Sequence, residues 1–408
     1  MNASSAALRI LAVDDEPFQL KLLTRQLANL GHGNVLTCDN AGDALALVHA
    51  DVGRFDVICC DLQMPQMDGV EFVRHLGDAR FRGGVVLISG EDDRILHTAE
   101  KLARAHDLRV LGALHKPVGP EQLGQTLAAA LQPAAAQAVR SAPRQYSADE
   151  IREAIAGGEL VNHYQPKVEF ATGQVSGVET LVRWQHPRDG LVYPDQFVSV
   201  AEESGLIDNL TRAVLAGLGG ALQQARQWQD AGYPLHVSVN VSMDNLTDHA
   251  FPGFVADEVA RAGVPASRLV LEVTESRLMK NPLATLDILT RLRLKRIGLS
   301  IDDFGTGHSS LSQLRDVPFD ELKIDRSFVH GACRQDALRA ILQPSLDMAR
   351  QLGIRSVAEG VEDLDDWRFL RECGCDLAQG YFVARPMPAG ALIGWLAEWE
   401  ARRGALVA

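Results

Sequence analysis

The chain reads as an α/β protein of two domains, a doubly wound (βα)5 sheet followed by an eight-stranded (β/α)8 barrel, and three observations predict this. Apolar strand-like runs alternate with helical stretches five times over residues 1–131. Eight more such runs recur across residues 148–402, the strand count of a (β/α)8 barrel. Between them, residues 132–147 (QPAAAQAVRSAPRQYS) are rich in Ala, with two prolines and few large apolar side chains, which reads as a linker. At 408 residues the chain exceeds what one ordinary core holds.

Composition narrows the class. A hydrophobic fraction of 46% with 23% charged residues excludes a largely disordered or fibrous chain. No run approaches the roughly 18 apolar residues of a membrane span, and the N-terminal MNASSAALRI lacks a basic flank, so a cytoplasmic protein without a membrane partner is expected. The formal net charge of -13 argues against a nucleic-acid polymer as partner, and leaves room for a small anion bridged to acids by metal ions. Cys38, Cys59, Cys60, Cys333, Cys373 and Cys375 form no CxxC pair and have no histidine at zinc-ligand spacing, so reduced thiols are expected.

In the first domain the strands are LRILAV, NVLTC, FDVICC, GVVLIS and LRVLGAL, each followed by a helical stretch. A doubly wound sheet places its site at the carboxyl ends of its strands. Asp14 and Asp15 follow the first strand, Asp61 the third, Ser89 the fourth and Lys116 the fifth. Such a set suits a carboxylate attacking phosphorus: two acids hold a Mg2+, a third is the nucleophile, and the lysine and hydroxyl meet the phosphoryl oxygens. Through VDDEP, DLQMPQMDG and HKP this segment resembles the receiver domain of two-component response regulators, a flavodoxin-like fold. The resemblance implies that Asp61 accepts phosphate from a sensor histidine kinase. It also implies that Asp14, Asp15 and Asp61 bind one Mg2+ and that Ser89 and Lys116 contact the phosphoryl group. One departure is Ala113, three residues before the lysine, where many receivers carry an aromatic switch.

The second domain opens with Ser147-x-x-Glu150, a capping-box pattern ahead of a helix. The Gly157-Gly158-Glu159-Leu160 run superficially matches a diguanylate cyclase signature, but it sits at the end of this short helix and reads as its stop. The strands that follow are LVNHYQPKV, VSGVETLVRW, HVSVNVS, RLVLEVTES, RIGLSIDDF, ELKIDRSF, RSVAEGV and AQGYFVARP. Alternation in HVSVNVS puts Ser238, Asn240 and Ser242 on one face and Val237, Val239 and Val241 on the other, so the valines face helices and a polar file faces inward. The same reasoning turns Glu179 and Arg183, Glu272, Lys323 and Glu359 inward. One charged residue per strand, strand after strand, is too costly to be incidental.

At SIDDFGTGHSS an apolar strand runs into Asp302 and Asp303 and then a Gly-Thr-Gly turn. Alone this is an ordinary strand end. Together with Glu179, Asn240, Glu272 and Glu359 it is a set of oxygen donors without sulfur or imidazole, which selects Mg2+ or Mn2+, with enough acids for two ions. Paired metals serve in-line displacement at phosphorus, with Lys323 and Arg183 available for water or phosphate, so phosphodiester hydrolysis is expected.

Through YQP, ExLxR, NVS, EVTE, DDFGTG, LKID, AEGVE and QGYFVARP the second domain resembles the EAL-type cyclic di-GMP phosphodiesterases, TIM-like barrels. The resemblance implies that Glu179, Asn240, Glu272, Asp302, Asp303 and Glu359 surround the metals and that Glu179, Lys323 and Glu359 are catalytic, the last two positioning the attacking water. Gln165, Arg183 and Gln379 would contact cyclic di-GMP, Glu275 would steady the DDFGTG loop, and the product would be linear pGpG. Homodimers or higher homo-oligomers are implied as well. Two departures are Thr180 in the signature triplet Glu179-Thr180-Leu181 and His308 where a tyrosine is frequent. The competing expectation is a barrel that binds the dinucleotide, or a protein, without cleaving it; that fate is written in lost ligands, and none is lost.

Overall fold

The computed structural model describes residues 8–90, 93–131, 144, 146–274, 282–305 and 317–407. Glu275 and His308 lie outside the described residues, as does most of the expected linker. The chain divides into two compact units, Met1–Ala142 and Pro143–Ala408.

The first unit is a five-stranded parallel sheet, β1 (Arg9–Val13), β2 (Asn34–Cys38), β3 (Val57–Asp61), β4 (Gly84–Ser89) and β5 (Arg109–His115), in the order β2-β1-β3-β4-β5. Helices cover both faces, so the sheet has two cores divided by residue parity. Leu11, Val13, Ile58 and Cys60 pack with Phe72 and Leu76 on one side. Ile10, Ala12, Val57 and Cys59 pack with Leu27, Leu123 and Leu127 on the other. Burial on both faces is why these strands read as continuous apolar runs.

The second unit is a closed barrel of eight strands: β6 (Leu160–Glu169), β7 (Val175–His186), β9 (His236–Asn240), β10 (Leu269–Thr274), β11 (Gly298–Phe304), β12 (Glu321–Ile324), β13 (Arg355–Ala358) and β14 (Leu377–Ala378). Short strands β8 (Gly190–Val192) and β15 (Met387–Pro388) extend β7 and the start of β6. One feature differs from a uniform (β/α)8 pattern: β6 runs antiparallel to both its neighbours, β7 and β14. Residues 170–174 join β6 to β7, and so short a connection makes a hairpin, whereas a parallel pair needs a crossover of a dozen residues or more.

The barrel's entry helix, Ala148–Gly157, has both halves of the capping box: Glu150 N donates to Ser147 Oγ at 3.3 Å and Ser147 N to Glu150 Oε2 at 3.0 Å. Gly158 stops it at φ +70°, a left-handed position that glycine takes without a Cβ penalty. Alternation then sorts the strands as expected. Val237, Val239, Leu271, Val273, Leu299, Ile301, Leu322 and Ile324 join the core between strands and helices. The opposite parity puts Ser238, Glu272, Ser300, Glu321 and Lys323, all buried, inside the ring. Among the described residues no helix is long and apolar enough to cross a membrane.

Candidate functional sites

At the carboxyl edge of the first sheet, Lys116 Nζ lies 2.8 Å from Asp14 Oδ2 and 2.8 Å from Asp61 Oδ2. Carboxylate oxygens of Asp14, Asp15 and Asp61 come within 4.8 Å of one another. Asp61 Oδ1 is buried without a hydrogen-bond partner, and burial raises the Asp61 carboxyl against the pull of Lys116. Ser89 is fully buried at the end of β4, the strand that pairs with β3 and its terminal Asp61. All five sequence-expected residues thus meet at one edge. Ala113 sits in β5 opposite Leu87, part-buried against the core around Phe72.

In the barrel, Lys323 Nζ is the centre of the carboxyl-end site. It lies 2.7 Å from Glu359 Oε1, 2.9 Å from Glu272 Oε2, 3.0 Å from Asp302 Oδ1 and 3.3 Å from Glu179 Oε2. Each carboxylate comes from a different strand or strand end, so only ring closure brings them together. Asn240 Nδ2 donates to Glu179 Oε1 at 3.1 Å, and Gln379 Nε2 donates to the other Glu179 oxygen and to Gln165 Oε1. Gln165 Nε2 in turn reaches Ala384 O at 3.0 Å. Asp302, Asp303 and Glu359 offer oxygens within 4.8 Å of one another. Asp303 takes φ +55°, at the point where β11 slips register against β12; aspartate tolerates this region better than most residues.

The electrostatics divide the acids. Burial pushes Glu359 up to about 8 and raises Glu179 and Asp302, with Lys323 pulling each the other way and neighbouring carboxylates adding to the rise. Glu272 is the exception. Against its own burial, Lys323 and Lys167 hold it down at about 2. Five carboxylates, Glu179, Glu272, Asp302, Asp303 and Glu359, gather around one ammonium here, and their excess negative charge with all-oxygen donors fits hard divalent cations.

Not all expected residues converge equally. Arg183 is buried four residues further along β7 than Glu179, its Nη1 donating to Val182 O at 2.8 Å and its guanidinium lying 5.0 Å from the Tyr193 ring centre. It does not line the 190 Å3 cavity formed by Gln165, Glu179, Glu359 and Gln379 with Arg326, Glu362 and Tyr381. Ser242, placed by alternation in the inward file, instead bonds Asn245 beyond the end of β9.

A second layer lies beneath the first, and sequence reasoning passed over it. Lys167 Nζ donates to Ser238 Oγ at 2.6 Å and to Glu321 Oε2 at 2.8 Å, and lies 3.4 Å from Glu272 Oε1. Arg355 Nη2 meets Glu321 Oε1 at 2.7 Å. The signal was present: Lys167 interrupts an apolar strand, and Glu321 stands two residues before Lys323, on the same face. Arg326, the first residue of a short helix after β12, and Tyr381, in a turn after β14, carried no such signal.

Two family descriptions match, a response regulator receiver domain over residues 10–128 and an EAL domain over residues 148–386. The cyclic di-GMP phosphodiesterase RocR of Pseudomonas aeruginosa is 34% identical over 386 residues, 93% of this chain and 96% of RocR. The cyclic di-GMP phosphodiesterase NbdA of the same organism is 42% identical over 62% of this chain, which spans only 32% of NbdA. Among solved structures, the PaMucR phosphodiesterase in complex with c-di-GMP is similar to 60% of this chain and 98% of its own, at 40% identity and a TM-score of 0.57. The EAL enzyme Bd1971 in its cAMP- and cyclic-di-GMP-bound form covers 68% of this chain and 75% of its own, at 28% identity and a TM-score of 0.58. The chain therefore belongs to the EAL domain family, with a response regulator receiver domain ahead of the barrel.

Proposed function

We propose that this chain hydrolyses cyclic di-GMP to linear pGpG and that phosphorylation of Asp61 by a sensor histidine kinase controls this output. The observation that carries the reading is the ring of carboxylates from separate strands around Lys323, with every oxygen donor of the motif set present. Glu179, Asn240, Glu272, Asp302, Asp303 and Glu359 would hold two Mg2+ or Mn2+ ions. When bound, such ions activate water and stabilise charge on the phosphate oxygens.

The remaining chemistry belongs to the chain's own groups. Lys323 is held in place by four carboxylates, which raise it far above its ordinary value despite its burial, so it stays a fixed donor. Glu359 Oε1 binds Lys323, and the pair positions the attacking water. Gln165 and Gln379, tied to each other and to Glu179, orient substrate beside the acids. Arg183 contacts substrate from further along β7. In the receiver, Asp14, Asp15 and Asp61 hold one Mg2+, and Lys116 and Ser89 meet the phosphoryl oxygens. The chain works as a homodimer or higher homo-oligomer.

Chromatographic detection of pGpG from cyclic di-GMP with Mg2+ or Mn2+ tests the hydrolytic reading, with Glu179→Ala as control. Dinucleotide binding without any pGpG would refute it. Equal turnover by phosphorylated protein and an Asp61→Asn variant would refute control through the receiver.

A further inference from the structure

The barrel has a second cavity at its other end. It has a volume of about 500 Å3 and opens among the N-terminal ends of the strands, where His236 begins β9, Gly298 begins β11 and Arg355 begins β13. Asn240, at the far end of β9, marks the carboxylate site four residues away, roughly 13 Å along the strand. The two are therefore separate.

The walls are basic in a chain whose formal net charge is -13. Arg293, Arg296 and Arg355 line the cavity with a single carboxylate, Asp320. That carboxylate is already engaged, accepting from Arg293 Nη1 at 2.5 Å and from Leu299 N at 2.9 Å. Arg355 spends one nitrogen on Glu321, and its side chain is 41% exposed. Arg296 is exposed, with no ion pair among the described residues. Arg293 Nη1 also donates to Ile297 O at 3.1 Å, and since a guanidinium carries five N–H donors, Arg296 and Arg355 keep donors beyond these bonds.

His236 lines the same cavity. Its Nδ1 is buried and has no hydrogen-bond partner, although buried polar atoms are nearly always paired. Burial, with Arg268 and Arg355 beside it, also keeps this imidazole below its ordinary range. Three guanidiniums around one cavity make a surface suited to an anion.

We infer that this cavity binds a small phosphate monoester, with the phosphate held by Arg293, Arg296 and Arg355. Planar guanidiniums pair with phosphate through parallel hydrogen bonds, which is why phosphate is favoured over a spherical anion. The volume lies in the range of small-molecule sites, so there is room for an organic part against the apolar wall of Phe319. A bound anion would share Arg355 with Glu321, two ion pairs from Glu272.

Calorimetric titration of the full chain in metal-free buffer at constant ionic strength tests this, with inorganic phosphate, a sugar phosphate and a nucleoside monophosphate as separate probes. The three arms distinguish which organic part is preferred. Saturable binding of at least one probe is expected, weakened about tenfold by Arg296→Asn, the loss of one charge-assisted phosphate contact. Asparagine is chosen because Arg296 sits at φ +64° and asparagine accepts that backbone without strain. Glu179→Ala should leave the affinity unchanged. Absence of saturable binding by all three probes overturns the inference. So does affinity that Arg296→Asn leaves within about twofold, and so does binding lost with Glu179→Ala, which would move the event to the carboxylate site.

Discussion

Lys167 gives the sharpest test of how the barrel interior is held. Its ammonium is 1% exposed and bridges Glu321 at 2.8 Å and Glu272 at 3.4 Å. Lys167→Met keeps the stem and removes the charge. Glu321 then retains only Arg355, and Glu272 retains only Lys323 among these lysines. Breaking a buried pair costs about 3–5 kcal/mol, and because each acid keeps one cation the lower end, about 3 kcal/mol, is expected. With a urea slope near 3 kcal/mol/M, the barrel's unfolding midpoint should fall by roughly 1 M. All five tryptophans, Trp184, Trp228, Trp367, Trp395 and Trp399, lie in the barrel, so their fluorescence reads this unit without the receiver. Glu321→Gln on top of Lys167→Met should recover about 1 kcal/mol or more relative to the sum of the single changes, because the freed Arg355 can return to water. A Lys167→Met midpoint within about 0.3 M of wild type, or strict additivity in the double variant, would refute the reasoning.

Two further outcomes are expected. A Cβ on Gly380 would lie 2.2 Å from Val361 O and 2.3 Å from Val361 N, so Gly380→Ala must part the two loops that carry Gln379 and Glu359; kcat/KM should drop roughly 100-fold with circular dichroism unchanged, and wild-type turnover would contradict it. His330 Nδ1 meets the buried Asp366 at 2.8 Å, and this bond raises the imidazole above its ordinary value. Its stabilising effect is full below the unfolded value near 6.5 and fades as pH rises through the raised one. The gap in urea midpoint between wild type and His330→Asn should therefore be wider near pH 5.5 than near pH 8.5. It should stay at or below about 1 kcal/mol, since the ring is 47% exposed. An equal or reversed gap would count against it.

Much of the candidate site could be read from the residues because its physics is local to each strand. A charge inside an apolar run announces itself by alternation, as Glu272 does between Leu271 and Val273, and as Lys323 does between Leu322 and Ile324. Lys167 and Glu321 obey the same rule, but a lysine–glutamate pair adds no donor set for a metal and so has no chemical signature of its own in the sequence. Arg326 and Tyr381 line the mouth from a four-residue helix and a turn, both too short for periodicity to mark a side chain's direction. The antiparallel β6 was hidden for another reason: strand direction depends on the five residues that turn the chain, not on the pattern of the strand itself.

By itself, the sequence determined two α/β units, the inward parity of each barrel strand, and a donor set of carboxylates and amides suited to hard cations. Those are properties of single segments, set by periodicity and side-chain chemistry. Only the tertiary structure decided that Lys323 stands among four carboxylates from separate strands and that Glu272 is shared between two lysines. It likewise decided that three arginines and His236 converge on one cavity at the opposite end. Such distances arise from ring closure and strand register, which bring together residues more than a hundred positions apart, and no window of sequence contains them.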